Sequence, residues 1–539
     1  LYMKSLHYFS AILVAMLLWA CSMQKKASEK QTKTSAVSMP KSSFVVEQPK
    51  MPLLTEKENL LAKISFTTES KYSFNEIRIK LKSTLKDLDL SEILVYVSKE
   101  NLFEKATLFG KTNQITESTS VKGSKDITKD ISYIWVMAKT TEKPNLLNKI
   151  KVSNVEIISP ISKHFIVQSK NEPQRFGISL RTKKQEGIEC YRIPGLTTTN
   201  KGTLIAVYDN RYNNCKDLQE DINIGMSRST DGGKTWEPMK EIIDMKEWGG
   251  LPNKLNGVGD PAVLVDEKTG TIWVIALWLH GSSVDKMAWW ESKPGLKPGE
   301  TGQLVLVKSE DDGVTWSNPI NITEQVKDPQ WYLFFNGPGR GISLKDGKIV
   351  FAAQYKNANQ VPYSTLIYSD DHGETWHRGI GAQSHTTEAQ VVELSDGTIM
   401  LNARDDRNRQ NYFVSDNLGG RSVFTTKNFG ASWTEHSSSR KALVEPNCMA
   451  SIISYKHSNG KQYLFFSNPA DSKNRINITI KASDDDGKTW NKLPQHTIYS
   501  DNNFGYSCMT IIDNKYIGIL YEGNGDLYFQ KIAISEFIK

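Results

Sequence analysis

The sequence predicts an all-β chain built from repeated strand–turn–strand units, on three observations. The first is an eight-residue pattern, S-x-D-x-G-x-T-W, recurring at residues 229–236, 309–316, 369–376, 426–433 and 483–490. A motif repeated at irregular spacing marks a repeat architecture. The second is the chemistry of the pattern: Asp or Asn bonds nearby backbone, Gly supplies a positive φ, and Trp packs under the turn. The third is the apolar, β-rich sequence flanking each copy, as at 348–355 and 462–466, which makes each copy a turn joining two strands. Four copies keep Ser, Asp, Gly, Thr and Trp; TKNFGASW at 426–433 is conservatively degenerate.

In chain order, the first element is a targeting segment at 1–21. Lys4 and His7 precede an apolar run from Tyr8 to Ala20, too short to span a bilayer and patterned as a signal peptide, with Met3 as the start. Leu18-Trp19-Ala20-Cys21 resembles a lipobox with an unusual Trp, so export is expected with Cys21 either lipidated or cleaved nearby. Residues 22–48 are rich in Lys, Ser and Gln and read as a flexible tether. Residues 49–165 carry short alternating runs at 63–67, 76–81, 93–97, 133–138 and 155–158 without a box, which predicts an independent small β-sandwich. From 176 to 539 the boxes and their strands run on.

At 539 residues the chain exceeds one hydrophobic core. Net charge is +7 with Lys scattered, so the basic stripe of a nucleic-acid binder is missing, while a modest positive field favours an anionic substrate. Beyond Cys21 stand Cys190, Cys215, Cys448 and Cys508, too few for a disulfide framework and without zinc-site spacing. Asn321-Ile-Thr and Asn477-Ile-Thr fit a glycosylation sequon, a reading at odds with a bacterial lipobox.

Glu189-Cys190-Tyr191-Arg192-Ile193-Pro194 lies ahead of the run 203–208 and of the first box. Together the boxes and this Y-R-I-P motif resemble the Asp-box sialidase (neuraminidase) superfamily, close to bacterial exo-α-sialidases of Bacteroidetes such as Tannerella. The resemblance covers 176–539 and implies a six-bladed β-propeller catalytic domain with the boxes as scaffold away from the active face. It also implies that the N-terminal module binds carbohydrate, against the plainer reading of a spacer. No metal or organic cofactor is implied.

The family holds a substrate carboxylate with three Arg, and guanidinium suits that task because it stays charged and binds in bidentate fashion. The matching positions are Arg192, Arg404 in Leu401-Asn402-Ala403-Arg404, and Arg475 in Asn474-Arg475-Ile476-Asn477. Three cations held close need acidic neighbours, and Glu522 matches the carboxylate that supports the first. By resemblance Tyr506 in Phe504-Gly505-Tyr506-Ser507 is the nucleophile and Glu388 in Thr386-Thr387-Glu388-Ala389 its base. A neutral phenol approaches a carboxylate-bearing carbon without repulsion, but it needs a base, and nearby Arg should favour its phenolate.

The segment 209–217 resembles the loop of the family's general acid. Asp217, six residues after Arg211, is the expected acid, with Asp221 as rival. Arg211 and Asp260, in Val258-Gly259-Asp260-Pro261, match contacts around the ring O4 and N-acetyl side. Gly259 departs from a bulkier residue in some relatives. Trp278 is expected to wall an acetamide pocket, with Met287, Trp289 and Trp290 on the rim.

The expected activity is removal of terminal sialic acid from glycoproteins, glycolipids and oligosaccharides, with retention through a sialyl-tyrosine intermediate. Expected partners are sialylated host glycoproteins, mucin and sialyllactose-type glycans, with outer-membrane association through a lipidated Cys21. A trans-sialidase would share these motifs. A propeller lectin would lack Tyr506, Glu388 or Asp217, and another Asp-box glycosidase would lack the Arg triad.

Overall fold

The computed structural model describes residues 42–68, 71–127, 130–161, 164–169, 172–218, 220–283, 286–409 and 419–538. The signal peptide, the lipobox with Cys21 and most of the tether lie outside the described residues. The tether is also shorter than 22–48. Ser42–Glu47 is a strand, pairing antiparallel with Asn59–Thr68 along its whole length. The β-branched Val45-Val46 pair suits that role, and Val46 enters the core.

Two sheets make up the N-terminal part. One runs Ser42–Glu47, Asn59–Thr68, Asp130–Thr140, Leu90–Ser98, Thr107–Thr112. In the other, Tyr72–Ser83 lies between Ser118–Ile127 and Lys149–Ile158. Along Tyr72–Ser83, Tyr72 and Phe74, then Ile77, Ile79 and Leu81, are buried with a period of two on each side of a bulge between Phe74 and Glu76 that shifts the phase by one. The segment was expected to be independent, and it is not. Lys149–Ile158 pairs with Gln174–Arg181, which pairs in turn with Leu527–Ala533 near the C-terminus. One apolar cluster joins Leu81, Val152 and Phe66 of the N-terminal part to Phe176, Tyr191 and Phe529 beyond it. Main-chain pairing of this kind carries no sequence signature, since it uses backbone groups that every residue has.

From Cys190 onward, antiparallel groups follow in chain order. The first is Cys190–Thr198, Leu204–Arg211, Ile222–Ser229 and Lys240–Ile243. Later groups begin with Asn256–Val265, Leu333–Asn336, Thr386–Glu393, Ser451–Lys456 and Ser507–Ile512. The last group takes Gln174–Arg181 as its outer strand, so the strand leading into the repeats and the last strand meet in one sheet, the closure by which a β-propeller shields its edges.

Each box turns from the third strand of its group to the fourth. In the first, Gly233 N–H donates to Ser229 Oγ at 3.0 Å, and Thr235 donates from its N–H (3.0 Å) and hydroxyl (2.6 Å) to Asp231. Gly233 has φ 87°, which explains the invariant Gly. The degenerate copy keeps the backbone bonds and reverses only the side-chain one: Asn428 donates from its amide to Ser432 Oγ at 2.9 Å, while Ser432 N–H still donates to Asn428 Oδ1 at 3.0 Å.

Candidate active site

Register places the boxes and the candidate site at opposite ends of the strands. Cys190 faces Arg211 at one end of the first group, while Thr198 faces Leu204 and Leu204 faces box residue Ser229 at the other. In the fourth repeat unit Thr386 faces Asp405, and Ile399 faces box residue Thr426. The residues singled out from sequence therefore gather at the box-free end. There a cavity of about 250 Å³ is lined by Arg192, Asp217, Asp260, Glu388, Arg404, Arg475 and Tyr506.

The Y-R-I-P motif owes its shape to Glu522. Ile193 sits at φ 55°, a costly conformation for a β-branched residue, at a bulge between Arg192 and Gly195. Glu522 is fully buried and stabilises it. Its Oε1 accepts from Arg192 Nε and from Ile193 N–H, each at 2.9 Å, and its Oε2 accepts from Tyr506 N–H at 2.9 Å. One carboxylate thus fixes the first Arg and the Tyr together. Arg192 also stacks over Phe504, 4.4 Å from the ring centroid.

Arg404 donates from Nε to Asn447 Oδ1 and from Nη1 to Glu388 Oε2, both at 2.7 Å, with Tyr506 Oη 3.4 Å from Nη1. Arg475 departs from the expected pattern. It donates to the carbonyls of Phe504 (2.7 Å) and Asn447 (3.3 Å), and among the described residues no carboxylate forms an ion pair with it. Carbonyl dipoles hold this guanidinium without neutralising it, leaving its charge for an anion.

The Tyr506 hydroxyl donates to Glu388 Oε1. Burial, reinforced by Glu388, raises the Tyr506 pKa well above the usual phenol value, and Arg404 and Arg475 only partly oppose it. Arg404 and Arg475 do favour the phenolate, as expected, but burial and Glu388 outweigh them. Gly505, at φ 98°, lets the chain turn into the site; a Cβ there would meet Cys448 Sγ at 2.6 Å.

Asp217 is on the loop between Leu204–Arg211 and Ile222–Ser229, its side chain 64% exposed. Arg211 Nη1 donates to its Oδ1 at 2.9 Å, and Arg192 Nη1 is 3.6 Å away. Although desolvation on its inner side works the other way, Arg211 and Arg192 hold Asp217 down at about 2. The rival Asp221 does not line the cavity. Arg211 was expected to touch substrate, but it is fully buried behind Asp217, forking onto Asp209 Oδ2 at 3.0 and 2.8 Å. Asp260 does line the cavity, at φ 57°, its N–H donating to Asp209 Oδ1 at 3.0 Å. Burial raises Asp209 to about 6 and Asp260 well above the carboxylate range, where Asp209, Asp217 and Glu388 add to the effect. Gly259 faces this pair: a Cβ there would lie 3.1 Å from Asp209 Oδ2.

Trp278 is a further correction. It is wholly buried in its own sheet's core, opposite Val258 and 4.7 Å from the Trp248 ring centroid, and walls no part of the cavity. The odd-even alternation of Ile272–His280 sends it to the other face from Leu277, which does line the cavity. The apolar side consists of Leu218, Leu277, Leu333, Phe335 and Trp289, with Met287 and Trp290 at the rim as expected. Sequence reasoning missed Asn447, Asp209, Phe504 and one disulfide. Cys190 and Cys215 are joined, with Cα atoms 5.2 Å apart, two residues before Arg192 and two before Asp217. Export and an even Cys count were the only signals for it.

The BNR repeat-like domain matches residues 202–519. A sialidase of Bacteroides fragilis (strain YCH46) is 40% identical over 533 residues, 92% of this chain and 96% of the relative. A sialidase of Paraclostridium sordellii is 31% identical over 68% of this chain and 90% of its own length. Among solved structures, the Hadza microbial sialidase Hz136 superposes with a TM-score of 0.84 at 38% identity, covering 92% of this chain and all of that one. An intramolecular trans-sialidase from Ruminococcus gnavus, at TM-score 0.55 and 18% identity, shares the fold. The chain belongs to the sialidase family, glycoside hydrolases of the exo-α-sialidase kind.

Proposed function

We propose that this sialidase releases terminal sialic acid with retention, through a covalent bond to Tyr506 Oη. The observation that carries the reading is the contact of the Tyr506 hydroxyl with Glu388, inside a cavity edged by Arg192, Arg404 and Arg475. The three guanidiniums hold the substrate carboxylate, which sits on the reacting carbon and so sets that carbon beside the phenol. Glu388 takes the phenolic proton as Oη attacks, and Arg404 stabilises the negative charge developing there. Asp217 gives a proton to the departing oxygen, then removes one from the water that cleaves the intermediate.

The proposal extends to sialylated glycoproteins, glycolipids, mucin and sialyllactose-type glycans as substrates. It extends also to export to the envelope or exterior of a Gram-negative cell, directed by residues 1–21 and anchored by a lipidated Cys21. A fluorinated sialic acid is the direct test, since one trypanosomal sialidase has been solved with 2,3-difluorosialic acid as a covalent intermediate. Incubation should add one sialyl mass to the tryptic peptide carrying Tyr506. A label on another residue, or none while activity is lost, overturns the nucleophile assignment.

A further inference from the structure

We propose that the Cys190–Cys215 disulfide is a positioning element for leaving-group protonation, governing the first chemical step, and so kcat/KM, for glycans but not for activated aryl sialosides. The inference rests on the reading of Asp217 as general acid. Among the described residues of the loop 212–221 none belongs to a strand, and Asp217 stands there largely exposed. Two anchors flank that residue. Leu218 is 5% exposed and packs with Ile222, Leu277 and Leu279; the Cys215 sulfur is bonded to Cys190, a fully buried residue at the strand end that carries Arg192. The same Arg211 Nη1 that donates to Asp217 also donates to the Cys215 carbonyl at 2.9 Å. Fixing Cys215 therefore fixes the direction from which Arg211 meets Asp217. The bridge spans 25 residues and ties the acid's loop to the strand of the first carboxylate-binding Arg.

The chemistry makes this selective. As the bond from the anomeric carbon to the glycosidic oxygen breaks, its electron pair stays on that oxygen. A sugar alkoxide leaves badly unless Asp217 delivers its proton, whereas a nitrophenolate leaves without one. A displaced Asp217 should therefore harm the first step only for the first kind of substrate; hydrolysis of the intermediate, which also uses Asp217, is common to both and enters kcat but not kcat/KM.

The test compares the wild type with the Cys190→Ser, Cys215→Ser double variant on 3′-sialyllactose and on 4-nitrophenyl sialoside. A misplacement of about 1 Å costs on the order of 100-fold, so the double variant should lose about 10- to 100-fold in kcat/KM on sialyllactose and stay within about threefold in kcat/KM on the aryl sialoside. The aryl rate also reports that the variant is folded. Adding the double change to Asp217→Ala should bring no further loss on sialyllactose, because both act through one proton transfer. Equal losses on the two substrates, or none on either, would overturn the proposal. Failure of Asp217→Ala to discriminate between the substrates would instead remove the acid assignment beneath it. Should the double variant not fold, dithiothreitol treatment of the folded wild type supplies the comparison. Two electrons and two protons pass to the bridge to give two thiols, and the reagent leaves as its cyclic disulfide. The same selective loss, reversed on reoxidation, is expected; an unselective or absent loss counts against the proposal.

Discussion

Glu388 touches Tyr506 with one carboxylate oxygen and Arg404 with the other: Oε1 accepts the phenol, and Oε2 accepts Arg404 Nη1 at 2.7 Å. The Glu388 carboxylate is thereby oriented and charge-balanced by a cation, which in the proposed mechanism keeps it tolerable beside the substrate's own. The geometry is the one the proposed nucleophile requires, with a third group aiming its base.

Removing the hydroxyl should stop turnover without unfolding the protein. Tyr506 is almost buried among Ile193, Cys448 and Met449, contacts that Phe keeps. Tyr506→Phe should lower kcat on the order of a thousandfold or more with an unchanged thermal midpoint. A variant within tenfold of wild type would refute the role.

Capture of the substrate carboxylate should depend on Arg475 more through KM than through structure, since this Arg neutralises no carboxylate among the described residues. Arg475→Ala should raise KM about 10- to 100-fold, the scale of a lost charge-assisted pair. Unchanged KM and kcat would exclude it from the clamp.

Glu522 should show the opposite profile. Its removal leaves Arg192 buried without its partner and Ile193 without the bond that holds its left-handed backbone. Glu522→Ala should cost about 3–5 kcal/mol in denaturant unfolding, whereas Trp278→Ala should cost about 3–5 kcal/mol as a core cavity with substrate preference unaltered. A specificity change in Trp278→Ala would restore the pocket-wall reading.

Asp217, held at about 2 by Arg211 and Arg192, is ionised in the free protein near neutrality. A bound substrate carboxylate offsets the charge of Arg192, so the proton needed for catalysis is held more tightly in the complex. Activity that requires protonated Asp217 is present below its pKa and lost as pH rises through it. The alkaline limb of kcat should therefore lie at higher pH than that of kcat/KM, and Asp217→Asn should abolish the difference. Coincident limbs would argue that substrate leaves Asp217 untouched.

The N-terminal sheets should not be dispensable, because one core runs from Val46 to Phe529 and Lys149 and Arg175 both bind Glu536. Deleting residues 42–168 exposes Phe176 and its neighbours and should lower the thermal midpoint. An unchanged midpoint would establish that the propeller folds alone.

Much of this was legible in one dimension. The boxes announced their turns because Asp, Gly and Trp act on backbone within eight residues, and Tyr506, Glu388 and the three Arg were found through motifs a few residues long. Failures came where a role depends on distant partners. Trp278 looks like a sugar-binding aromatic until strand pairing sends it into the core. Arg211 looks like a contact until Asp209 and Asp217 close around it. Asn447 bonds both Arg404 and Arg475 with nothing in its neighbourhood to mark it.

Local chemistry, with the family resemblance of a few short motifs, therefore decided that the chain is a β-rich repeat and which side chains were candidates for the site, because turns and short motifs need only near neighbours. The closed ring decided the rest: which of those groups share a cavity, which stand behind it, and how far burial moves their protons. Desolvation and long-range ion pairing exist only once strands some three hundred residues apart, such as those of Arg192 and Glu522, have been brought together.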